Sequence, residues 1–283
     1  MIFSSIYGWP RVCGYIAGAF LFSMWLQESW SQSFHNLSTS CTNFISKLSE
    51  TNLVMKGNYR MNFRHEVKHE INASDAMAIR QRLRAVARAD PHAKDGRYQV
   101  RSLYFDNLWD KALREKLDGV GVREKFRIRY YNGDITRIHL EKKQKVYALT
   151  CKESAPVTKE EVQAILQGRR LSVDVLTHKL VAELYRKMDT EGLKPRTIVS
   201  YTREPFVFGP GNVRITLDYD IRTGLDGIDF FNPDCTMIPA GDRTVILEVK
   251  WDGFLPDIIR DAIQLPGRRA GAFSKYAACR IYG

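Results

Sequence analysis

From Phe63 onward the chain changes repeatedly between two hydrophobic periods, and the changes mark out its elements. Phe63 to Ile71 (FRHEVKHEI) has period two. Phe63, His65, Val67, His69 and Ile71 share one parity, and Arg64, Glu66, Lys68 and Glu70 share the other, which predicts a strand with one charged side. Ser74 is positioned to cap the helix that follows, with Met77, Ile79, Leu83, Val86 and Ala87 at near-helical spacing until Asp90-Pro91. Val100 to Asp106 is a second strand, and Asp106 or Asn107 leads a short helix closed by Asp118-Gly119. In Arg123 to Tyr131, Arg123, Lys125, Arg127 and Arg129 occupy one face, and Phe126, Ile128 and Tyr130 the other. Asn132-Gly133-Asp134 reads as a hairpin turn. The return strand, Thr136 to Tyr147, places His139, Glu141, Lys143 and Lys145 opposite Ile138, Leu140 and Lys142, with Lys152 just beyond.

The middle of the chain is helical in pattern. Thr158-x-x-Glu161 has the form of a capping box, and Val175, Leu176, Leu180, Val181 and Leu184 make an apolar stripe within Val175 to Met188. This part is expected to be a lid or a flank of the sheet. Strands resume at Thr197 to Phe206, where Val199, Tyr201 and Arg203 share a face. Val213 to Asp220 separates Val213, Ile215 and Leu217 from Arg214, Thr216, Asp218 and Asp220. Thr244 to Trp251 separates Val245, Leu247, Val249 and Trp251 from Ile246, Glu248 and Lys250. A short helix over Leu255 to Leu265 ends at Pro266-Gly267.

Seven or eight strands joined mostly by short turns predict an antiparallel sheet. A charged face can simply meet water, or it can line the inside of a closed barrel, where like charges need a compensating anion. Two features favour the barrel. Cations recur on one parity in separate segments, and the carboxylates on that face stand singly, as Glu66, Glu141, Asp218 and Glu248. Guanidinium and ammonium groups suit phosphate oxygens, and lone carboxylates suit a divalent metal. Composition agrees: 43 Lys and Arg against 32 Asp and Glu leave a net charge of +11, which calls for an anionic partner. The basic residues alternate along strands and form no exposed basic helix or aromatic platform, so nucleic acid is not the expected partner.

Other chemistries find no motif. There is no GxxxxGK[ST] loop, no kinase motif set, no GxSxG and no HExxH. The six histidines are scattered. The five cysteines, Cys13, Cys41, Cys151, Cys235 and Cys279, lack CxxC spacing, so neither a zinc site nor a disulfide framework follows and a reducing compartment fits. Residues 1–60 read as a separate extension. The run from 12 to 26 (VCGYIAGAFLFSMWL) is apolar but short for a spanning helix, and 27–58 is polar and Ser/Asn-rich. A start-site extension, a membrane anchor or uncleaved signal, and a helix packed on the domain all remain open for it. A cytoplasmic location is expected, with membrane association through 12–26 alone.

The motifs RHEVK (64–68), SLYFDN (102–107), KFRIRYY (125–131), LEKK (140–143), YTREPF (201–206), VRITLD (213–218), ILEVKW (246–251) and FSKY (273–276) occur in one order. Together they resemble the catalytic domain of the vacuolar transporter chaperone (VTC) type polyphosphate polymerases in their bacterial form, within the CYTH-like triphosphate tunnel superfamily. The resemblance covers 61–283 as one domain and none of 1–60. It implies an α+β fold, an eight-stranded antiparallel β-tunnel closed as a barrel with flanking helices. It implies transfer of the ATP γ-phosphate to a growing inorganic polyphosphate chain, with Mn²⁺ or Mg²⁺. Carried onto this chain, it assigns Lys68, Arg127, Arg129, Lys143, Arg203 and Arg214 to catalysis. Glu66, Lys152, Tyr201, Ser274 and Lys275 would bind substrate, and Glu248 would bind metal. Lys125, Lys145 and Lys250 fit a surface ion pair better than Arg127 or Arg129 do. Tunnel hydrolases open with ExExK. Here the opening is RxExK, and the late strand has Glu248-x-Lys250, so fewer carboxylates are on hand to hold two metals and activate water. Hydrolysis of tripolyphosphate or a nucleoside triphosphate, and binding without catalysis, stay open as alternatives.

Overall fold

The period-two segments become strands, and their charged parity sets which side of the sheet each residue takes. In a computed structural model, residues 64–281 are described apart from 94, 148, 173, 175, 176 and 243. The expectations for 1–60, for Phe63 and for Val175 and Leu176 therefore lie outside the described residues. The strands are β1 (His65–Ile71), β2 (Arg88–Ala89), β3 (Tyr98–Asp106), β4 (Val122–Tyr131), β5 (Asp134–Val146), β6 (Leu149–Val157), β7 (Lys194–Phe208), β8 (Val213–Thr223), β9 (Ile238–Pro239) and β10 (Val245–Trp251). The helices are α1 (Ala73–Val86), α2 (Lys111–Leu117), α3 (Lys159–Leu166), α4 (Lys179–Thr190), α5 (Asp257–Ile263) and α6 (Lys275–Ile281). Eight strands form an antiparallel sheet in the order β1-β10-β8-β7-β3-β4-β5-β6, with β2 on β7 and β9 on β8.

The fold is α+β as expected, but the sheet is a curled, open half-barrel. Among the described residues no pairing joins β1 to β6. The reason lies on the free edge of β1. Gly271 N donates to Lys68 O at 2.8 Å, and His69 bridges Ala270. The segment leading into α6 takes the edge that closure would have given to β6.

Local chemistry accounts for the elements. Asn132 (φ 51°) and Gly133 (φ 73°) are both left-handed, as the two-residue β4–β5 turn requires. Thr158 Oγ1 accepts from Glu161 N, and the Glu161 carboxylate accepts from Thr158 N, so the capping box of α3 forms. At α1 the cap is Asn72, whose Oδ1 accepts from Asp75 N at 2.8 Å, and Ser74 is already inside the helix. Asp106 anchors two helices to β3. Its Oδ1 accepts from Ala112 N, and its Oδ2 accepts from Leu113 N and from the Tyr276 hydroxyl at 2.7 Å. Strand β6 and helix α6 were not expected from the pattern.

Two apolar clusters cover the outer side of the sheet. Phe126, Ile128 and Leu140 meet Val162 and Ile165 of α3 and Leu180, Val181 and Leu184 of α4. The helical middle is thus a flank and not a lid. Ile215, Leu217, Leu247 and Val249 meet Ile79 and Leu83 of α1 and Ile259 of α5. A third cluster lies on the inner side, where Tyr276 and Cys279 of α6 pack among Tyr98, Val100, Tyr104, Val199, Tyr201, Ile221 and Ile246. Helix α6 therefore fills that part of the inner face. The rest of the inner face is polar. Among the described residues no helix is long and apolar enough to cross a membrane.

Candidate functional site

Alternation on β4 carries the site. Phe126, Ile128 and Tyr130 are buried on the outer side, which turns Lys125, Arg127 and Arg129 inward. The same logic brings in Glu66 and Lys68 from β1, Lys143 from β5, Lys152 from β6, Tyr201 and Arg203 from β7, Arg214 from β8 and Glu248 from β10. Ser274 and Lys275 come from the start of α6. All twelve of the residues assigned to the site line one cavity of about 410 Å³. Eleven cationic side chains border it against two carboxylates, Glu66 and Glu248, so the cavity has a large surplus of positive charge.

Carboxylates behind the wall hold the cations in place. Glu141 accepts from Arg127 Nε at 2.7 Å and from Lys152 Nζ at 3.1 Å, with Arg129 3.8 Å away. Asp218 is fully buried; it accepts from Arg203 at 2.6 and 2.7 Å and from Lys275 Nζ at 2.6 Å. Arg129 donates to Ser102 Oγ at 2.9 Å and to the Tyr201 hydroxyl at 3.2 Å. Arg214 donates to Asp90 Oδ2 at 2.8 Å and to the Tyr98 hydroxyl at 2.9 Å. Asp90, read from sequence as a helix stop, is thus an anchor for a cavity arginine. Such fixed partners leave the guanidinium groups preorganised to meet an anion. Thr216 Oγ1 and Arg214 Nε, both buried at the wall, have no hydrogen-bond partner among the described residues.

The charges shift one another. Burial and the neighbouring Glu248 push the Glu66 carboxyl up, but Lys68, Lys143 and Lys250 overcome both and hold it at about 2. Burial pushes the Glu248 carboxyl up, and Lys250, Lys68, Arg203 and Lys275 bring it well below the carboxylate range. The cations suffer the opposite effect. Burial and nearby Lys143, Arg127 and Lys68 lower Lys125 to about 7, against an opposing pull from Tyr104. Burial and Lys68 lower Lys143 to about 8. Burial raises the Tyr104 phenol, and Arg127, Lys125 and Arg129 outweigh it, bringing it to about 7.

These shifts predict how anion binding depends on pH. A bound polyanion raises the pKa of Lys125 and Lys143, so binding takes up protons. Below pH 7 both lysines are charged and affinity is flat with respect to them. As pH rises through 7 and 8, affinity falls, by up to about tenfold per pH unit for each proton taken up. Calorimetric titration of tripolyphosphate from pH 7 to 9, in buffers of different ionisation enthalpy, reads the slope and the proton uptake together. Affinity unchanged across that range would contradict the charge arrangement.

Sequence reasoning missed several wall residues. Lys125 and Lys250 line the cavity, contrary to their reading as surface ion-pair residues. Lys250 does pair, but with Glu248 inside. Arg64, Tyr98, Tyr104, Tyr131, Thr150, Thr216 and Phe273 are there too. For Lys125, Lys250 and Arg64 the signal was available, since each shares parity with an assigned neighbour. Tyr98 and Tyr104 gave none, because apolar and wall-forming aromatics look alike in a strand.

A family model described as the VTC domain matches residues 63–281. The chain belongs to the VTC domain family. That match spans every strand of the half-barrel, and so it bears out the resemblance seen in the ordered motifs. Solved structures similar to this VTC domain include a candidate adenylate cyclase from Bacillus halodurans, 14% identical, with a TM-score of 0.43, covering 67% of this chain and 80% of that one. Another is the PH1819 protein from Pyrococcus horikoshii OT3, 16% identical, with a TM-score of 0.35, covering 71% and 84%. No curated protein matches the chain.

The donor set also bears on a metal. Among the described residues no group of three His, Cys, Asp or Glu side chains could hold an ion by itself. Glu248 lies close enough to Glu66 to push its carboxyl up, and both face the cavity. Two carboxylates suit a hard divalent ion that completes its shell with phosphate oxygens; they do not make a protein cage. Glu66 and Glu248 are the two residues that would hold such an ion.

Proposed function

We propose that this VTC domain is a polyphosphate polymerase that moves the γ-phosphate of ATP onto inorganic polyphosphate. One observation carries the reading: twelve residues, scattered over seven strands and one helix in the sequence, line a single cavity with a surplus of fixed cations. Transfer of a phosphoryl group needs mainly positioning and neutralisation of spreading charge. Arg127, Arg129 and Arg203 are held by Glu141 and Asp218 for that task. Glu248, with Glu66, would hold Mn²⁺ or Mg²⁺, and the ion would offset charge on the transferring group. Lys143 and Lys152 face the same space from β5 and β6. Both cavity carboxylates, Glu66 and Glu248, are already engaged by lysine, so neither is free to activate water. That favours a phosphate acceptor over hydrolysis.

The assay is direct. The protein, incubated with ATP and Mn²⁺, should yield a ladder of long polymer on a polyphosphate gel. Release of inorganic phosphate without polymer would replace the reading with a hydrolase. Tight tripolyphosphate binding without turnover would replace it with a binding module.

A further inference from the structure

Another cavity, of about 460 Å³, lies on the outer side of the sheet, where α1 and β2 meet β7 and β8. Strand alternation puts it behind the first. On β7, Arg203 lines the inner cavity and its neighbour Glu204 lines this one. On β8, Asp218 holds Arg203 from the inner side, and its neighbour Tyr219 lines the outer cavity. Three arginines border the outer cavity: Arg80 and Arg84 of α1, and Arg97 just before β3. Arg80 is already matched, since its Nε donates to both Glu204 oxygens at 2.9 and 2.8 Å. Among the described residues Arg84 and Arg97 have no ion pair, and the exposed Asp95 is the one other carboxylate on this wall.

An exposed arginine ordinarily meets water and needs no ligand. These two border a cavity with an apolar wall: Pro205 and Phe206 are buried, and Tyr219 is half-buried. A cavity of this size, with apolar walls and a few charged groups, has the form of a small-molecule site. Two guanidinium groups suit the doubly charged oxyanion of a phosphate monoester, and the wall suits a flat apolar body attached to it.

The chain that borders this cavity also reaches the inner one. Ala89 of β2 lines the outer cavity and pairs with Phe206. The next residue, Asp90, donates its N–H to the Pro205 carbonyl and accepts from Arg214 at 2.8 Å through Oδ2. Arg97 is followed by Tyr98, whose hydroxyl accepts from the same Arg214 at 2.9 Å. Both residues that hold Arg214 are therefore next in sequence to residues of the outer cavity. A ligand gripped by Arg97 and Arg84 fixes the backbone that carries Asp90 and Tyr98.

We propose that the outer cavity is an effector site for a small phosphate monoester with a flat apolar body, and that its occupancy steadies Arg214 and raises anion affinity in the inner cavity. Neither part rests on the polymerase reading.

The test uses the full 283-residue chain and phenyl phosphate, with binding followed by calorimetry and with inorganic phosphate and benzoate as comparison probes. Arg129→Ala, which weakens the inner cavity, should leave phenyl phosphate affinity within about twofold. An Arg84→Ala, Arg97→Ala variant removes no ion pair among the described residues and should keep the parent Tm. Its phenyl phosphate affinity should fall by roughly tenfold or more. Inorganic phosphate, which lacks the ring, and benzoate, which carries one charge, should each bind the parent more weakly than phenyl phosphate. With tripolyphosphate saturating the inner cavity, phenyl phosphate should bind the parent about fivefold more tightly, because such coupling is reciprocal. Binding that is lost in Arg129→Ala and kept in the double variant belongs to the inner cavity and overturns the site. Equal affinity for phenyl and inorganic phosphate overturns the ligand class. Phenyl phosphate affinity that tripolyphosphate leaves unchanged or weakens overturns the link to Arg214.

Discussion

Glu248→Gln should lose polymer synthesis by at least about a hundredfold while binding tripolyphosphate more tightly than the parent when metal is absent. The two effects have opposite signs for one reason. Glu248 is surrounded by Lys250, Lys68, Arg203 and Lys275, which hold it ionised. Removing its charge leaves those cations without a counter-charge, so a polyanion gains in the empty site. The same change removes the carboxylate that, in the proposed reading, would hold the metal and let it offset phosphate charge. Calorimetry without metal and a gel assay with Mn²⁺ read the two effects separately. Full activity in the variant would end the metal assignment. Arg129→Ala gives the contrast: both binding and synthesis should fall, since Arg129 presents its charge to the cavity from a fixed seat on Ser102 and Tyr201.

Asp218→Asn should destabilise the fold by about 3–5 kcal/mol, because it strips the partner from two buried cations. Asp218 has no exposed surface and takes both Arg203 and Lys275. Burial raises its carboxyl, but those two cations lower it below the ordinary value. A carboxyl depressed in the fold contributes stability that is present above its unfolded pKa and lost as pH falls through the folded value. The parent should therefore lose this contribution only in strong acid, and the variant should lack it at neutral pH. Denaturant unfolding measures the difference. Tripolyphosphate should restore part of it, since it supplies the charge that Asp218 gave. A variant as stable as the parent would mean that Arg203 and Lys275 are not held as described.

The charged parity of β4 was legible because strand period and burial are local rules: once Phe126, Ile128 and Tyr130 go to the core, Arg127 and Arg129 have one place to go. The same rule carried Lys68, Glu248 and Arg214. Strand β6 was harder to see, because Glu153 interrupts the apolar parity of Leu149, Cys151, Ala155 and Val157, and Pro156 falls inside the segment.

What the sequence by itself determined was the charge surplus, the strand periods and the set of side chains facing one way. Those follow from neighbours within a few residues. Only the tertiary structure decided that these faces meet in one cavity. It also decided that Lys125 has no ion pair among the described residues, that Asp90 anchors Arg214, and that the sheet stays open. Each of these depends on residues far apart in the chain. The open seam is the clearest case: residues 270 and 271 reach the β1 edge where β6 would have paired, and no local pattern records which of two distant segments takes a backbone edge.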